Sequence, residues 1–254
     1  MRRCGVDDFM ATLIGIHPVW EALEARRPID HVMVARGTHN PRVQQILDHC
    51  RRAVIPVRFA PREALDRAAG SSRHQGVVAL AAAQRLYELQ EVITPVVKPG
   101  LLVLLDGVED PHNLGAIIRS AYAAGADAVI LPQRRSAGLT ETVAKVAAGA
   151  LEHLRVARVT NLTQALEDLK LAQYWIFGLE PRAGLSYDRA DYGSRTALVL
   201  GGEGRGLHKN TASHCDWLVK IPMSGRIASL NVSVAAGIVL FEVMRQRRAK
   251  TSGA

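Results

Sequence analysis

Five short apolar runs follow Pro99, namely Leu101–Leu105, Ala128–Leu131, Trp175–Leu179, Ala197–Leu200 and Leu218–Ile221, and only Lys220 breaks their character. They are too short for helices that must bury a face and lack the alternation of strands with one wet side. Separated by helical segments, they predict strands of a parallel sheet buried on both faces. Each run ends in a loop rich in Gly, Pro or polar residues: Asp-Gly-Val-Glu-Asp-Pro, Pro-Gln-Arg-Arg, Glu-Pro-Arg-Ala-Gly, Gly-Gly-Glu-Gly-Arg-Gly and Pro-Met-Ser-Gly-Arg. Ligands of open α/β sheets bind beyond the carboxyl ends of the strands, so these loops are the expected active site.

The first third reads differently. From Gly15 to about Val78 the pattern predicts a small α/β unit: helix Pro18–Ala25, strand His31–Ala35, helix Pro41–Arg51, strand Val57–Phe59, helix Arg62–Ala69 and strand Val77–Leu80. The expected domains are therefore 12–80 and 99–254, with 81–98 as a connector and 1–11 as a frayed leader. Met1–Asp8 makes a poor signal peptide, because Asp7 and Asp8 precede an apolar run that stops by His17. No stretch approaches the ~20 apolar residues that span a bilayer, which argues against a membrane protein.

A net charge of +8 favours a polyanionic partner. Residues 1–80 hold twelve arginines, no lysine and eight acids. Guanidinium forks suit phosphate and base contacts, although a GC-rich genome that prefers arginine codons would give the same bias. Cys4, Cys50 and Cys215 form no C-x-x-C pair for zinc or redox chemistry, so a reducing cytoplasm and no metal are expected.

Three segments could carry chemistry. In the first, Asp106 to Arg119, Asn113 is a natural helix cap; Leu114, Ile117, Ile118 and Ala121 share one stripe, and Arg119 falls off it, one turn after Gly115. Gly115 would leave bare backbone beside a cation for a phosphodiester; a solvated surface arginine fits the same pattern. The second, Gly201-Gly202-Glu203-Gly204-Arg205-Gly206-Leu207, matches neither phosphate-binding glycine spacing, and Glu203 would repel a phosphate. It suits close packing on an uncharged or cationic ligand, or a simple tight turn. In the third, Ile221 to Gly237, Ser229 or Asn231 can cap a helix reaching about Arg247, with small first turns that fit either a cofactor or another helix.

In this order, Asn-Leu-Gly-x-x-x-Arg, Gly-Glu-Gly-x-Gly-Leu and Ile-Pro-Met-x-Gly-x-x-x-Ser-Leu-Asn-Val-Ser-Val-Ala closely resemble the three motifs of the SpoU (TrmH) family of RNA ribose 2′-O-methyltransferases. The resemblance extends through Ser136-Ala-Gly-Leu-Thr, Lys145-Val-Ala-Ala-Gly-Ala and Arg158-Val-Thr-Asn-Leu. Gly15-Ile-His-Pro-Val-Trp-Glu-Ala-Leu and His74-Gln-Gly-Val look like the branch that methylates a guanosine of large-subunit (23S) ribosomal RNA. The resemblance implies an α/β fold: a SPOUT-type catalytic domain with a parallel sheet and C-terminal trefoil knot, preceded by a small L30e-like α/β domain that grips RNA. It also implies a homodimer through the catalytic domain and S-adenosylmethionine as cofactor. Carried over by position, Asn113, Arg119, Glu203, Ser229 and Asn231 match catalytic-site residues, and Gly201, Ile221 and Leu230 match cofactor contacts. Gly202 and Arg205 match no family role.

Methyl transfer from a sulfonium is an in-line displacement, so positioning the ribose oxygen is the larger task and removing its proton the smaller. Family proposals make the motif-one arginine a base. A guanidinium normally stays protonated, which suits a phosphate clamp, with Asn113 and Glu203 orienting it; the sequence leaves both roles open. Two other readings are a transfer-RNA methyltransferase of the same family and a non-catalytic RNA-binding or ribosome-assembly factor. Intact Arg119 and Glu203 weigh against the latter.

Overall fold

The structure is a computed structural model that describes residues 11–82, 84–93, 99–203, 206–225 and 229–252. It forms two compact units that divide between Arg85 and Leu86. Of the expected leader only Ala11 is among the described residues, and it starts a strand.

The first unit contains β1 (Ala11–Ile14), α1 (Ile16–Glu24), β2 (Ile29–Ala35), α2 (Pro41–Arg52), β3 (Val57–Ala60), α3 (Arg62–Ala69) and β4 (Val77–Ala81). Its sheet runs β1-β4-β2-β3, with β4 antiparallel to both neighbours and β3 parallel to β2. Val19 and Leu23 of α1 and Val43 and Ile46 of α2 share a core with Val77 and Ala79 on one face. Leu65 and Ala69 of α3 cover Val78 and Ala35 on the other. Helix α1 starts two residues before the expected Pro18 because a distant side chain caps it: Gln75 Oε1 accepts from Ile16 N at 3.1 Å. The short β1 has no alternation long enough to mark it in the sequence; pairing with β4 makes it a strand.

The second unit contains β5 (Leu86–Tyr87), α4 (Leu89–Ile93), β6 (Leu101–Asp106), α5 (Pro111–Ala123), β7 (Ala128–Pro132), α6 (Glu141–Ala147) and β8 (Arg155–Val159). It continues with α7 (Leu162–Leu171), β9 (Trp175–Leu179), β10 (Leu185–Ser186), β11 (Thr196–Gly201), α8 (Lys209–Ser213), β12 (Trp217–Lys220) and α9 (Val232–Ser252). The sheet order is β10-β12-β9-β11-β6-β7-β8-β5, and every pairing is parallel. All five apolar runs are strands of this sheet, and β6 is buried along its whole length. Leu101, Val103 and Leu105 meet α5, α6 and α9, while Leu102 and Leu104 meet the α4 and α7 side. Burying a leucine side chain contributes about 1.5–3 kcal/mol, so a central strand of this composition holds the two helical layers together.

Part of the stretch read as a connector is ordered structure: β5 pairs with β8 at the sheet edge, and Leu89 and Val92 of α4 are buried. The sequence reading did not mark β8, because Arg155 and Arg158 interrupt its apolar residues near that edge. Helix α9 outruns the expected Arg247, whose guanidinium donates to the carbonyls of Pro99, Gly100 and Ser194 at 2.9–3.0 Å. Burial raises the thiol pKa of Cys50 and pushes that of Cys215 up to about 12, so neither is poised as a nucleophile. Among the described residues no helix is long and apolar enough to cross a membrane, and no group of three potential ligands could hold a metal ion.

Candidate active site and cofactor pocket

The site starts where β6 ends. Asp106 is 7% exposed; its carboxylate accepts from the backbone N and from Nδ1 of His208, both at 2.9 Å, and its carbonyl accepts from Gly202 N. The loops after β6 and β11 are thereby tied together. Asp110, not Asn113, caps α5: its carboxylate accepts from His112 N at 3.2 Å and Asn113 N at 3.1 Å. The capping role expected for Asn113 is thus corrected. Pro111 at the first helical position fits a cap one residue earlier, and it frees the Asn113 side chain for a contact with distant segments.

That contact joins all three motifs. Asn231 Oδ1 accepts from Ser233 N at 2.9 Å and Ser233 Oγ at 2.6 Å, capping α9. Because the cap requires an acceptor, the Asn231 Nδ2 end is left as a donor, and it reaches Asn113 Oδ1 at 3.0 Å and Glu203 Oε1 at 3.2 Å. Asn113 accepts there with its oxygen, so its own Nδ2 donates to Glu203 Oε1. Each amide orientation follows from the previous one, and Glu203 Oε1 terminates the chain as an acceptor. Glu203 is the expected acceptor, but here it serves other residues of this chain. Arg119 is exposed and, among the described residues, makes no hydrogen bond or ion pair. The structure therefore does not join it to Asn113 and Glu203, which orient each other and Asn231.

The glycines are explained by contact. A Cβ on Gly201 would lie 2.1 Å from the carbonyl carbon of Gly206, and one on Gly202 would lie 2.3 Å from the Gly107 carbonyl oxygen. Both positions need glycine because the loop folds back on itself, pairing Gly202 with Gly206, against the loop after β6. Gly202 thus has a structural role that its sequence position did not suggest. Gly115 requires a correction: its Cβ would meet Val146 Cβ at 2.7 Å and Val143 O at 2.9 Å, so it serves close packing of α5 on α6 and is no bare backbone for a phosphodiester.

Beside this network lies a cavity of about 460 Å³, within the usual range for small-molecule sites. Its walls are Leu179–Arg182 after β9, Leu200–Glu203 and Gly206 around β11, Ile221 and Met223 after β12, and Ser229, Leu230, Val232 and Ala235. Gly201, Glu203, Ile221, Ser229 and Leu230, five of the eight residues singled out from sequence, line one cavity. Asn113 and Asn231 join it through Glu203; Arg119 is not in its wall. Sequence reasoning missed Glu180 and Arg182 in the wall and Asp106, Asp110 and His208 behind it. The only available signal was that Asp106 and Glu180 are acids at the ends of apolar runs.

A family model, the SpoU rRNA methylase family, matches residues 100–241. The chain belongs to the SpoU family. A second model, described as RNA 2′-O ribose methyltransferase substrate binding, matches residues 12–87. The chain is 45% identical to the 23S rRNA (guanosine-2′-O-)-methyltransferase RlmB of Xanthomonas campestris over 92% of its own length and 96% of that protein. RlmB of Xylella fastidiosa is 46% identical with the same coverage. Two solved structures with cofactor are similar. The SpoU methyltransferase AviRb from Streptomyces viridochromogenes in complex with AdoMet has a TM-score of 0.78, 25% identity and coverage of 94% of this chain and 91% of that one. The AdoMet-bound rRNA methyltransferase from Sinorhizobium meliloti has a TM-score of 0.75, 28% identity and coverage of 94% and 87%.

The cavity fits such a cofactor on its own chemistry. S-adenosylmethionine is cationic at sulfur and flat and apolar at its base, and the wall offers Glu180 and Glu203 alongside Leu179, Ile221 and Leu230. Gly201, Gly202 and Gly206 line the same wall and present it with backbone rather than side chain.

Proposed function

We propose that this SpoU chain methylates the ribose 2′-hydroxyl of a guanosine in 23S ribosomal RNA, using S-adenosylmethionine. The hydrogen-bonded Asn113–Glu203–Asn231 set beside the cavity carries this reading, in a chain 45% identical to an RlmB along nearly its whole length.

S-adenosylmethionine supplies the methyl group when bound. Gly201, Ile221 and Leu230 hold it, and Ser229 and Glu203 stand at the same wall. The Asn113–Glu203–Asn231 set is rigid because Asn231 is locked by its capping bonds, which fixes the surface against which a ribose is aligned. Arg119 has no internal partner among the described residues, so its guanidinium is available to RNA. Being protonated, it acts as a phosphate clamp and stabilises negative charge developing on the ribose oxygen.

Residues 12–80 form the L30e-like domain that grips RNA, supported by the substrate-binding family match and the arginine excess. Residues 99–254 carry the chemistry, 81–98 joining the two. The catalytic units pair as a homodimer: Val234 and Phe241 of α9 and Tyr122 of α5 expose 51%, 44% and 45% of their surface on helices that pack on each other. A trefoil knot would account for the path after β12, which lies beyond β9 while α9 returns to α5. A ribosomal RNA substrate places the enzyme in the cytoplasm.

The test supplies purified protein with methyl-labelled cofactor and unmodified 23S rRNA or transfer RNA, then maps the label. One labelled guanosine ribose in 23S rRNA is the expected result. Label confined to transfer RNA would replace the substrate, and bound cofactor without label in any RNA would overturn the enzymatic reading.

A further inference from the structure

Strands β7 and β8 end beside the first motif, away from the cofactor cavity. The segment after β7 is anchored there: Ala137 N donates to Val108 O at 3.0 Å, and Gln133 N donates to Val159 O at 2.9 Å. Arg134 and Arg135 at its tip are exposed and make no hydrogen bond or ion pair among the described residues. Arg158 of β8 is paired in register with Leu131 and reaches under this segment, its Nη2 lying 3.9 Å from where a Gly138 Cβ would be. The Arg158 Nε is buried and has no hydrogen-bond partner. Native proteins leave few such donors, so the unpaired Nε marks Arg158 as a guanidinium that the chain's own acceptors do not saturate.

Backbone geometry singles out the same place. Arg135 has φ +57°. Arg26, Val54, Ala148 and Gln173 also have positive φ, but each follows a helix end, where a left-handed residue closes the helix. Gln75 is held by its side chain on Ile16 N. Arg135 has neither reason, and such unexplained strain concentrates at ligand contacts.

We propose that Arg134, Arg135 and Arg158 form a phosphate-binding subsite that holds the RNA strand one or two nucleotides from the target ribose. This rests on the methyltransferase reading above. Guanidinium groups with no carboxylate partner suit the paired acceptor oxygens of a phosphodiester. The sheet order puts the cavity over β9 and β11, the first motif over β6 and this subsite over β7 and β8. At ~4.8 Å per strand, the subsite lies roughly 10–15 Å from the cavity, with the first motif between them. An RNA strand crossing the carboxyl ends in that direction would pass the Asn113 network before reaching the arginines.

The experiment measures binding of the full chain to unmethylated 23S rRNA transcript across salt concentrations, together with cofactor binding, melting temperature and methyl transfer. Arg135→Gly removes the charge and relieves the left-handed strain, so melting should not fall while RNA affinity drops about tenfold and the salt slope becomes shallower by about one phosphate contact. Arg158→Gln should shift affinity and slope the same way, and Arg135→Lys should restore the slope with part of the affinity. Unchanged affinity and slope for both Arg135→Gly and Arg158→Gln, in a protein whose wild type methylates 23S rRNA, would overturn the subsite. So would a loss for Arg158→Gln that appears only as lower melting temperature. A wild type that methylates no RNA would instead overturn the reading beneath it.

Discussion

The two units solve different problems with similar elements. In the first, polar contacts are mostly short in sequence: Asp48 pairs with Arg51 and Asp66 with His74. Its mixed four-stranded sheet is a platform, with arginines outside and valines within. In the second, the polar contacts that matter cross 90 and 118 residues of sequence, from Asn113 to Glu203 and from Asn231 to Asn113. An all-parallel sheet makes this possible, because every strand delivers its following loop to the same edge. Recognition of a polyanion needs a stable charged surface, which a small unit can supply. Positioning a hydroxyl for displacement needs groups from distant segments held within hydrogen-bond distance of each other.

If that division of labour is right, the largest effect belongs to Arg119. Arg119→Ala should lower single-turnover methyl transfer by orders of magnitude, with cofactor affinity and melting temperature nearly unchanged. Arg119→Lys should recover part of the rate, since lysine keeps the charge and loses the planar fork. A near-normal rate for Arg119→Ala would remove this residue from the mechanism and leave the Asn113 network to account for it.

Deleting residues 11–82 should have a smaller effect on a different quantity. RNA binding should weaken and its salt dependence flatten as phosphate contacts are lost, with calorimetric cofactor binding by the remaining unit unaltered. Equal salt slopes with and without the first unit would dissolve the contrast.

The smallest effects are the most diagnostic, because one kind of bond occurs in both units. Asn40 caps α2, its side chain accepting from Arg42 N at 2.9 Å, and Asp110 caps α5. Asn40→Ala and Asp110→Ala should each cost about 1 kcal/mol in denaturant unfolding. Only Asp110→Ala should also reduce turnover, since it loosens the turn that aims Asn113. Equal turnover in the two variants would mean that the Asn113 network does not depend on its helix start.

The sequence alone disclosed much of this architecture. The runs at Leu101–Leu105 and Ala197–Leu200 could be read as doubly buried strands because burial on both faces leaves no polar position. Gly201, Ile221 and Leu230 were legible through spaced motifs, and the structure puts all three in one wall. Strand β8 was not legible, because Arg155 and Arg158 break its apolar pattern near an edge covered by only the two residues of β5.

What the sequence determined by itself is therefore what local pattern encodes: the parallel sheet, the loops at its carboxyl edge, and the residue types in those loops. The tertiary structure alone decided what each residue meets. Asn113 turned from a helix cap into a buried member of a network that links three loops, Gly115 from open backbone into a helix contact, and Gly202 from an unassigned glycine into the point where two loops touch. The physical reason is that propensity and periodicity act within a few residues, whereas excluded volume and hydrogen-bond pairing depend on whichever distant segment arrives to fill the space.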